Sequence, residues 1–451
     1  MPRNVHRACD DFHATREATR RAYLDPGITR RQVLARGIGA GLAIYASRAL
    51  SLADVFGAAE ASAAAAPDAP VLVSVFLPGG CDLLDSFVPL GQYGRYADMR
   101  PKLRQRDPAE LGSTGLGLHP SLTAGTNGGF KGLFEQGKVG LLPGIDYANP
   151  DLSHFHSRHF WETGLVTQSA ATGWLGRMLD RDGSADNPLQ GISLSGTLSP
   201  LLRSAGAPVA AVHSPNNAQF WLPGTWGASH EIAMAAYSEM AARDGGSAGE
   251  RAATTAARLA KQVADRLAPF RHDDDEPNPL APPVAYPRNN DLGERLSQLA
   301  GLLAQPLGIR VAAVEADGEF DTHDSQPGDL AAGLREVSEA LSAFQADLEA
   351  RGLADRVLTF VWSEFGRRPE ENESSGTDHG AGGVAWVQGT RVRSGVLTDY
   401  PNLGRLDRQD NLEVTVDFRR VYCSLLEQWL GSDAGAVIPG AGGFGRLELV
   451  S

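Results

Sequence analysis

The chain has 451 residues and a formal net charge of −13, from 41 basic and 54 acidic side chains. That acidity excludes nucleic-acid binding through bulk charge, and three cysteines, Cys9, Cys81 and Cys423, do not make a zinc-finger pattern. No apolar run after the N-terminal segment approaches the ~20 residues of a stable membrane span.

The N-terminal segment reads as an export signal. Thr29-Arg30-Arg31-Gln32-Val33-Leu34 is a twin-arginine motif, followed by a mildly apolar, glycine-rich run over residues 37–46. A small-residue stretch, 58–66, then offers an A-x-A-like cleavage site at Ala61-Ser62-Ala63. The order of charge, apolar run and cleavage site assigns residues 1–65 to a leader read by the twin-arginine translocation machinery. The working location is then the periplasm, the cell surface or the medium. In an oxidising compartment Cys81 and Cys423 can pair, but two separate packed thiols are the favoured expectation.

Beyond the leader, five short runs rich in Val and Ile read as buried strands, at residues 71–77, 139–142, 309–314, 357–362 and 384–387. Between the second and third lies a different stretch, about 183–308. It holds an Ala-rich helical segment over 252–270, a solvated loop with Asp273-Asp274-Asp275-Glu276, and a helical pattern at Leu292, Leu296, Leu299 and Leu303. This stretch reads as an insertion or cap. After the third strand, Leu330, Leu334, Val337, Leu341, Phe344 and Leu348 put one apolar stripe on a helix, with Asp329 as N-cap and Gly352 as stop. A last helix carries Phe418, Val421, Tyr422, Leu425, Leu426 and Trp429, with Gly431 after it. Strands alternating with helices imply an α/β fold, a mainly parallel sheet with helices on both faces.

The unusual polar residues fall just after strands. Asp82 follows the first, in Pro78-Gly79-Gly80-Cys81-Asp82. Ser153 and His154 follow the second, Asp321 and His323 the third, and Glu364 ends the fourth. Asp378 and His379 come shortly after Glu364, in Gly376-Thr377-Asp378-His379-Gly380. A parallel sheet gathers such segments at its carboxyl edge, where ligands bind. Carboxylates and imidazoles without thiolates suit a divalent ion: zinc, manganese, magnesium or calcium. The metal candidates are therefore Asp82, Asp321, His323, Glu364, Asp378 and His379, with His154 as an additional one. Ser153, at a helix start, is the candidate nucleophile. Each residue also has a structural reading: Asp82 can cap a helix, His154 can pack, and Glu364 can pair with Arg367 or Arg368.

The motifs Gly79-Gly80-Cys81-Asp82, Leu118-His119-Pro120, Ser153-His154-Phe155, Gly173-Trp174-Leu175-Gly176-Arg177, Asp321-Thr322-His323, Ser363-Glu364-Phe365-Gly366-Arg367 and Gly376-Thr377-Asp378-His379-Gly380 occur in that order. On these residues the chain resembles the domain of unknown function family 1501 (DUF1501), over nearly the whole of 70–451. That family is similar to the alkaline-phosphatase-like superfamily. The resemblance implies an alkaline-phosphatase-like domain with a metal-binding aspartate at Asp82, a serine nucleophile at Ser153 and an aspartate–histidine element at Asp321 and His323. The sequence departs from that pattern at three places. Glu364-Phe365 stands where an Asp-His pair is expected, Asp321 and His323 are two apart rather than four, and Leu83 replaces a glycine. The departures count against a full two-metal site.

Two functions follow. The first is an exported metal-dependent hydrolase of phosphate or sulfate esters, acting on a small-molecule or glycan ester. The second is a non-catalytic exported protein that keeps the hydrolase fold and binds a glycan or an envelope component. Both share the leader. Replacing Arg30 and Arg31 by lysine together is expected to leave the precursor in the cytoplasm, because a receptor reads the pair and not the charge. Fractionation that finds the double variant processed at the normal rate would remove the leader assignment.

Overall fold

The structure is a computed structural model that describes residues 42–44, 69–216, 218, 226–243, 246–273 and 275–451. The arginine pair and the cleavage site of the leader lie outside these residues. The described residues divide into two compact units, the smaller within Ala170–Ala281 and Gly301–Ala313, joined by Leu42–Ile44, and the larger within Pro70–Ser169, Pro282–Ala300 and Val314–Ser451.

In chain order the main elements begin with β1 (Val71–Phe76), α1 (Tyr93–Met99), α2 (Gly129–Glu135), β2 (Val139–Asp146) and α3 (His154–Thr163). The smaller unit adds β3 (Gly191–Ser193), β4 (Ala210–Val212), α4 (Ala228–Ala241) and α5 (Ala248–Leu267). The chain returns through β5 (Val311–Glu315) to α6 (Gln326–Ala350), β6 (Val357–Trp362), β7 (Gly383–Gln388), β8 (Gly395–Val396), β9 (Val416–Asp417) and α7 (Phe418–Ser424).

In the larger unit β1 and β6 run parallel, with Val71 beside Val357 and Phe76 beside Trp362. β7 is antiparallel to both β6 and β2, while β8 and β9 are parallel to β2. Every residue of β1, β2, β6 and β7 is buried, as uninterrupted apolar runs require of strands covered on both faces. The sheet is thus α/β and mixed, with the strand expected at 384–387 running against its neighbours. The reason lies in the connection after β6. It contains no crossover helix, only a two-residue ladder of Gly366–Arg367 against His379–Gly380, so the chain returns antiparallel.

Aromatic side chains show how the two faces are covered. Val361 lies opposite Trp386 in the β6–β7 pair, so Trp362 and Trp386 point to opposite faces. Trp362 stacks on Trp161 of α3 at 5.4 Å, and Trp161 stacks on Phe418 of α7 at 4.6 Å. On the other face Trp386 meets Phe130 of α2 edge-on, and Gln388 donates to the Leu341 carbonyl of α6. α6 begins earlier than its stripe suggested: Ser325, in left-handed conformation, precedes Gln326 and Pro327, and Asp329 sits in the first turn, where its charge suits the helix dipole. Gly352, at φ +70°, follows the C-cap. α7 runs on as a π turn over Leu425–Trp429, which keeps all the expected apolar positions inward.

In the smaller unit β3 lies parallel to β4 and β5, and Leu42–Ile44 pairs antiparallel with β4. α5 opens with a capping box in which Ser247 and Glu250 satisfy each other's backbone amides. Cys81 and Cys423 are both free and buried, as separate thiols. Burial pushes the Cys81 thiol up to about 12. Among the described residues no helix is long and apolar enough to cross a membrane.

Phe360 of β6 is 1% exposed and meets Tyr422 of α7 edge-on. Phe360→Ala is expected to cost about 3–5 kcal/mol through the cavity it leaves. Urea unfolding checks this, and a loss below about 1 kcal/mol would show that β6 is not the centre of the core.

Candidate metal centre

Two glycines after β1 begin the site. Gly79 and Gly80 have φ of +117° and +86°, which turns both amides toward Glu364 at the end of β6. The Glu364 carboxylate accepts from Gly79 N at 3.0 Å and from Gly80 N at 3.2 Å. Next to it Ser363 Oγ accepts from the amides of Gly80 and Cys81 and donates to the Leu77 carbonyl at 2.7 Å. The ends of β1 and β6 are thereby locked together. A Cβ on Gly79 would lie 2.3 Å from Asp321 N, so the loop after β5 can approach only a glycine here.

That loop delivers Asp321, and three imidazoles gather around it. His154, the first residue of α3, places Nε2 3.2 Å from Asp321 Oδ2. His379, on the short ladder, places Nε2 3.0 Å from Asp321 Oδ1. His323 Nε2 lies 3.2 Å from Asp321 Oδ1 and 3.0 Å from His379 Nε2. The other nitrogen of each ring faces an acceptor. His154 Nδ1 is 2.9 Å from Glu364 Oε1, His323 Nδ1 is 3.2 Å from Asp378 Oδ1, and His379 Nδ1 is 2.9 Å from the Leu152 carbonyl. A carbonyl can only accept, so Nδ1 of His379 donates to Leu152. His154 and His323 each face a carboxylate oxygen from both ring nitrogens. Leu152 reaches His379 from a left-handed conformation, φ +62°, unusual for a branched side chain.

One cation is already present. The Arg367 guanidinium donates to Asp321 Oδ1 at 2.6 Å and to the carbonyls of Gly80 at 2.9 Å, Thr377 at 2.8 Å and Phe320 at 2.9 Å, and also to Gly79 O. The hydrogen-bonded group therefore holds three carboxylates, Asp321, Glu364 and Asp378, against one guanidinium. Burial raises the Glu364 carboxyl, but the hydrogen bond and charge of His154 and the Gly79 amide outweigh it, so the group stays below the usual carboxylate range. Asp378 is likewise held low: burial opposes, and His323 and Asn372 prevail.

This donor set fits a divalent ion. His154, Asp321 and His379 each offer a ligand atom, and the three atoms lie within 4.8 Å of one another. The Nε2 atoms of His323 and His379 lie 3.0 Å apart, a separation that needs a proton or a cation between them. The convergence of three carboxylates and three imidazoles points the same way.

The expected site residues do not all play one part. Asp321, His323 and His379 come together, and His154 joins them as a central member instead of an additional one. Glu364 and Asp378 stand one step out, holding ring protons. Ser153 is the N-cap residue of α3, and its hydroxyl makes no capping hydrogen bond. Asp82 corrects the expectation of a ligand. It caps the one-turn helix Leu83–Ser86, where Oδ1 accepts from the amides of Leu84 and Asp85, and its Oδ2 accepts from Arg100 at 2.7 Å and Gln326 at 2.9 Å. Its neighbour Asp85 is raised chiefly by burial, against the pull of Arg100. Arg367, expected as a partner of Glu364, pairs instead with Asp321. Arg100 and Gln326 carry no sequence signal, because nothing in spacing distinguishes a buried arginine from a solvated one.

An α/β fold whose strand-end loops gather a histidine–aspartate cluster is the class of protein that the structure defines. The model for the family described as "Protein of unknown function (DUF1501)" matches residues 143–422, and the chain belongs to that family. No curated protein matches it. Among solved structures the chain is similar to the alkaline phosphatase from the Antarctic bacterium TAB5, at 9% identity and a TM-score of 0.31, over 71% of this chain and 91% of that one. A variant of that enzyme with Mg bound matches at 10% identity and a TM-score of 0.31, with the same coverage. The PsFucS1 sulfatase from Pseudoalteromonas sp. matches at 13% identity and a TM-score of 0.35, over 81% of this chain and 68% of that one.

The glycine requirement is testable by contrast. Gly79→Ala is expected to destabilise the protein by about 1–3 kcal/mol or more, through positive φ and collision with the Asp321 backbone. Gly94→Ala, in α1, where an added Cβ meets nothing, should be neutral or stabilising by about 0.5–1 kcal/mol. Equal effects of the two in urea titrations would show that the Gly79 turn does not constrain the Asp321 loop.

Proposed function

We propose that the protein is an exported metal-dependent hydrolase of phosphate or sulfate esters. The observation that carries this reading is the gathering of three imidazole Nε2 atoms around the buried Asp321, with every Nδ1 turned to an acceptor. His154, Asp321 and His379 hold the ion, with His323 beside them. Imidazole nitrogen with carboxylate oxygen favours zinc or manganese over calcium and magnesium. When bound, the ion supplies a Lewis acid that polarises a phosphoryl or sulfuryl oxygen and eases deprotonation of a nearby hydroxyl.

The chain's own residues do the rest. Glu364 orients His154, the Leu152 carbonyl orients His379, and Arg367 pairs with Asp321. Ser153 offers a hydroxyl that makes no capping hydrogen bond at the start of α3, where helix amides favour developing negative charge. Its oxygen attacks phosphorus or sulfur, the ester oxygen leaves as an alcohol with the serine proton, and one water then releases phosphate or sulfate. The order of the motifs, which resembles the alkaline-phosphatase-like pattern, supplies the reaction class. The N-terminal segment, read as a twin-arginine leader, supports work outside the cytoplasm, after export of the folded, loaded chain by the translocation machinery.

One observation favours the second reading, an exported binding or envelope protein: the side chains of His154, Asp321 and Glu364 are 0–1% exposed, and Arg367 already pairs with Asp321. Metal-replete mature protein, assayed on aryl phosphate and aryl sulfate, separates the two. Under the hydrolase reading His379→Ala loses both metal and turnover, and Glu364→Gln weakens metal affinity about 10–100-fold. Ser153→Ala keeps the metal and loses turnover. Stoichiometric metal without hydrolysis of either ester by the parent protein would establish the binding reading instead.

A further inference from the structure

The resemblance places a metal-binding aspartate after the first strand. Asp82 occupies that position, yet its surroundings do not fit a metal ion. Arg100, at the end of α1, sets Nη1 2.7 Å from Asp82 Oδ2 and 2.9 Å from Asp85 Oδ1. Its remaining donors are tied to main chain, Nε to the Pro369 carbonyl and Nη2 to the Arg368 carbonyl, both at 2.9 Å. The guanidinium is fully buried and cannot swing away without abandoning four acceptors.

Every oxygen of the two carboxylates already has a donor. Asp82 Oδ1 takes two helix amides, and Asp82 Oδ2 takes Arg100 and Gln326. Asp85 Oδ1 takes Arg100 and the Tyr96 hydroxyl at 2.7 Å, and Asp85 Oδ2 takes Gln326 at 2.7 Å. A metal ion bonds carboxylate oxygen at about 2.0–2.2 Å and would have to displace the Arg100 nitrogen that both carboxylates share. Burial opposes the charge on Arg100, but Asp82 and Asp85 more than compensate, so the guanidinium stays protonated.

We infer that Arg100 is a built-in cation occupying the place of a second metal, so that each chain holds one divalent ion, at His154, Asp321 and His379, and none at Asp82. The count of one rests on the metal-dependent reading above; the exclusion at Asp82 does not. Take away the guanidinium and two buried carboxylates face each other without their cation, an environment for a hard divalent ion such as manganese or magnesium. Gln326 is the link between the two groups. While its amide nitrogen serves Asp82 and Asp85, its Oε1 accepts from Thr322 at 3.0 Å and Thr377 at 2.7 Å, and these threonines sit in the loops that carry His323 and Asp378.

Equilibrium dialysis of the full mature chain against manganese, followed by elemental analysis, tests the inference. The expected counts are one ion per chain for the parent protein, one for Arg100→Lys, which keeps the charge, and two for Arg100→Ala. Two ions in the parent protein overturn the inference. So does a folded Arg100→Ala that binds no more than the parent at millimolar manganese. If Arg100→Ala does not fold even with manganese, the parent and Arg100→Lys decide, and a second ion in either is fatal. A parent protein with no ion, together with an Arg100→Ala variant holding one, would sink the metal-dependent reading while upholding the role of Arg100.

Discussion

The Arg367 guanidinium is the tie on which the rest of the site depends. It reaches the carbonyls of Gly79 and Gly80 after β1, the Phe320 carbonyl and Asp321 after β5, and the Thr377 carbonyl before His379. Three separate loops are thus fixed to one planar, fully buried group whose donors have set directions. The cost of burying its charge is offset because the acceptors are complete and include a carboxylate. Loss of one partner of such a pair leaves the other charge uncompensated, at about 3–5 kcal/mol. A lysine has neither the reach nor the number of donors to replace it.

Backbone conformation at the strand ends makes that tie possible. Gly79 and Gly80 turn through positive φ so that one side of the turn presents amides to Glu364 and the other presents carbonyls to Arg367. Leu152 accepts a left-handed conformation to give its carbonyl to His379. Strain of this kind persists only where surrounding contacts over-determine it. Here the stacked Trp161, Trp362 and Phe418 hold α3 against the sheet on one side, and the short ladder holds His379 on the other.

Two electrostatic solutions stand close together in the same unit. Around Asp321 three carboxylates meet one guanidinium, and three imidazoles turn Nε2 inward. Around Asp82 every acceptor is filled, and a guanidinium supplies the positive charge. Both are built of aspartates that follow parallel strands, so residue type and position do not separate them. What separates them is which side chain arrives from elsewhere in the chain: His154 and His379 in one case, Arg100 and Gln326 in the other.

The sequence by itself determined the strands, because β1, β2, β5, β6 and β7 are apolar runs that only a covered sheet can accommodate. It also determined the apolar stripes of α6 and α7, since spacings of three and four leave no other face to bury. Hydrophobic periodicity is local, and it survives without knowledge of partners. Only the tertiary structure decided that β7 runs antiparallel, that His154 is central, that Glu364 and Asp378 hold ring protons, and that Asp82 answers to Arg100. Each of these turns on a contact between residues far apart in the chain, such as Gly79 with Glu364 or Asp82 with Gln326. A side chain's role there is set by the direction from which its partner comes, and that direction exists only once the loops have been brought to the edge of the sheet.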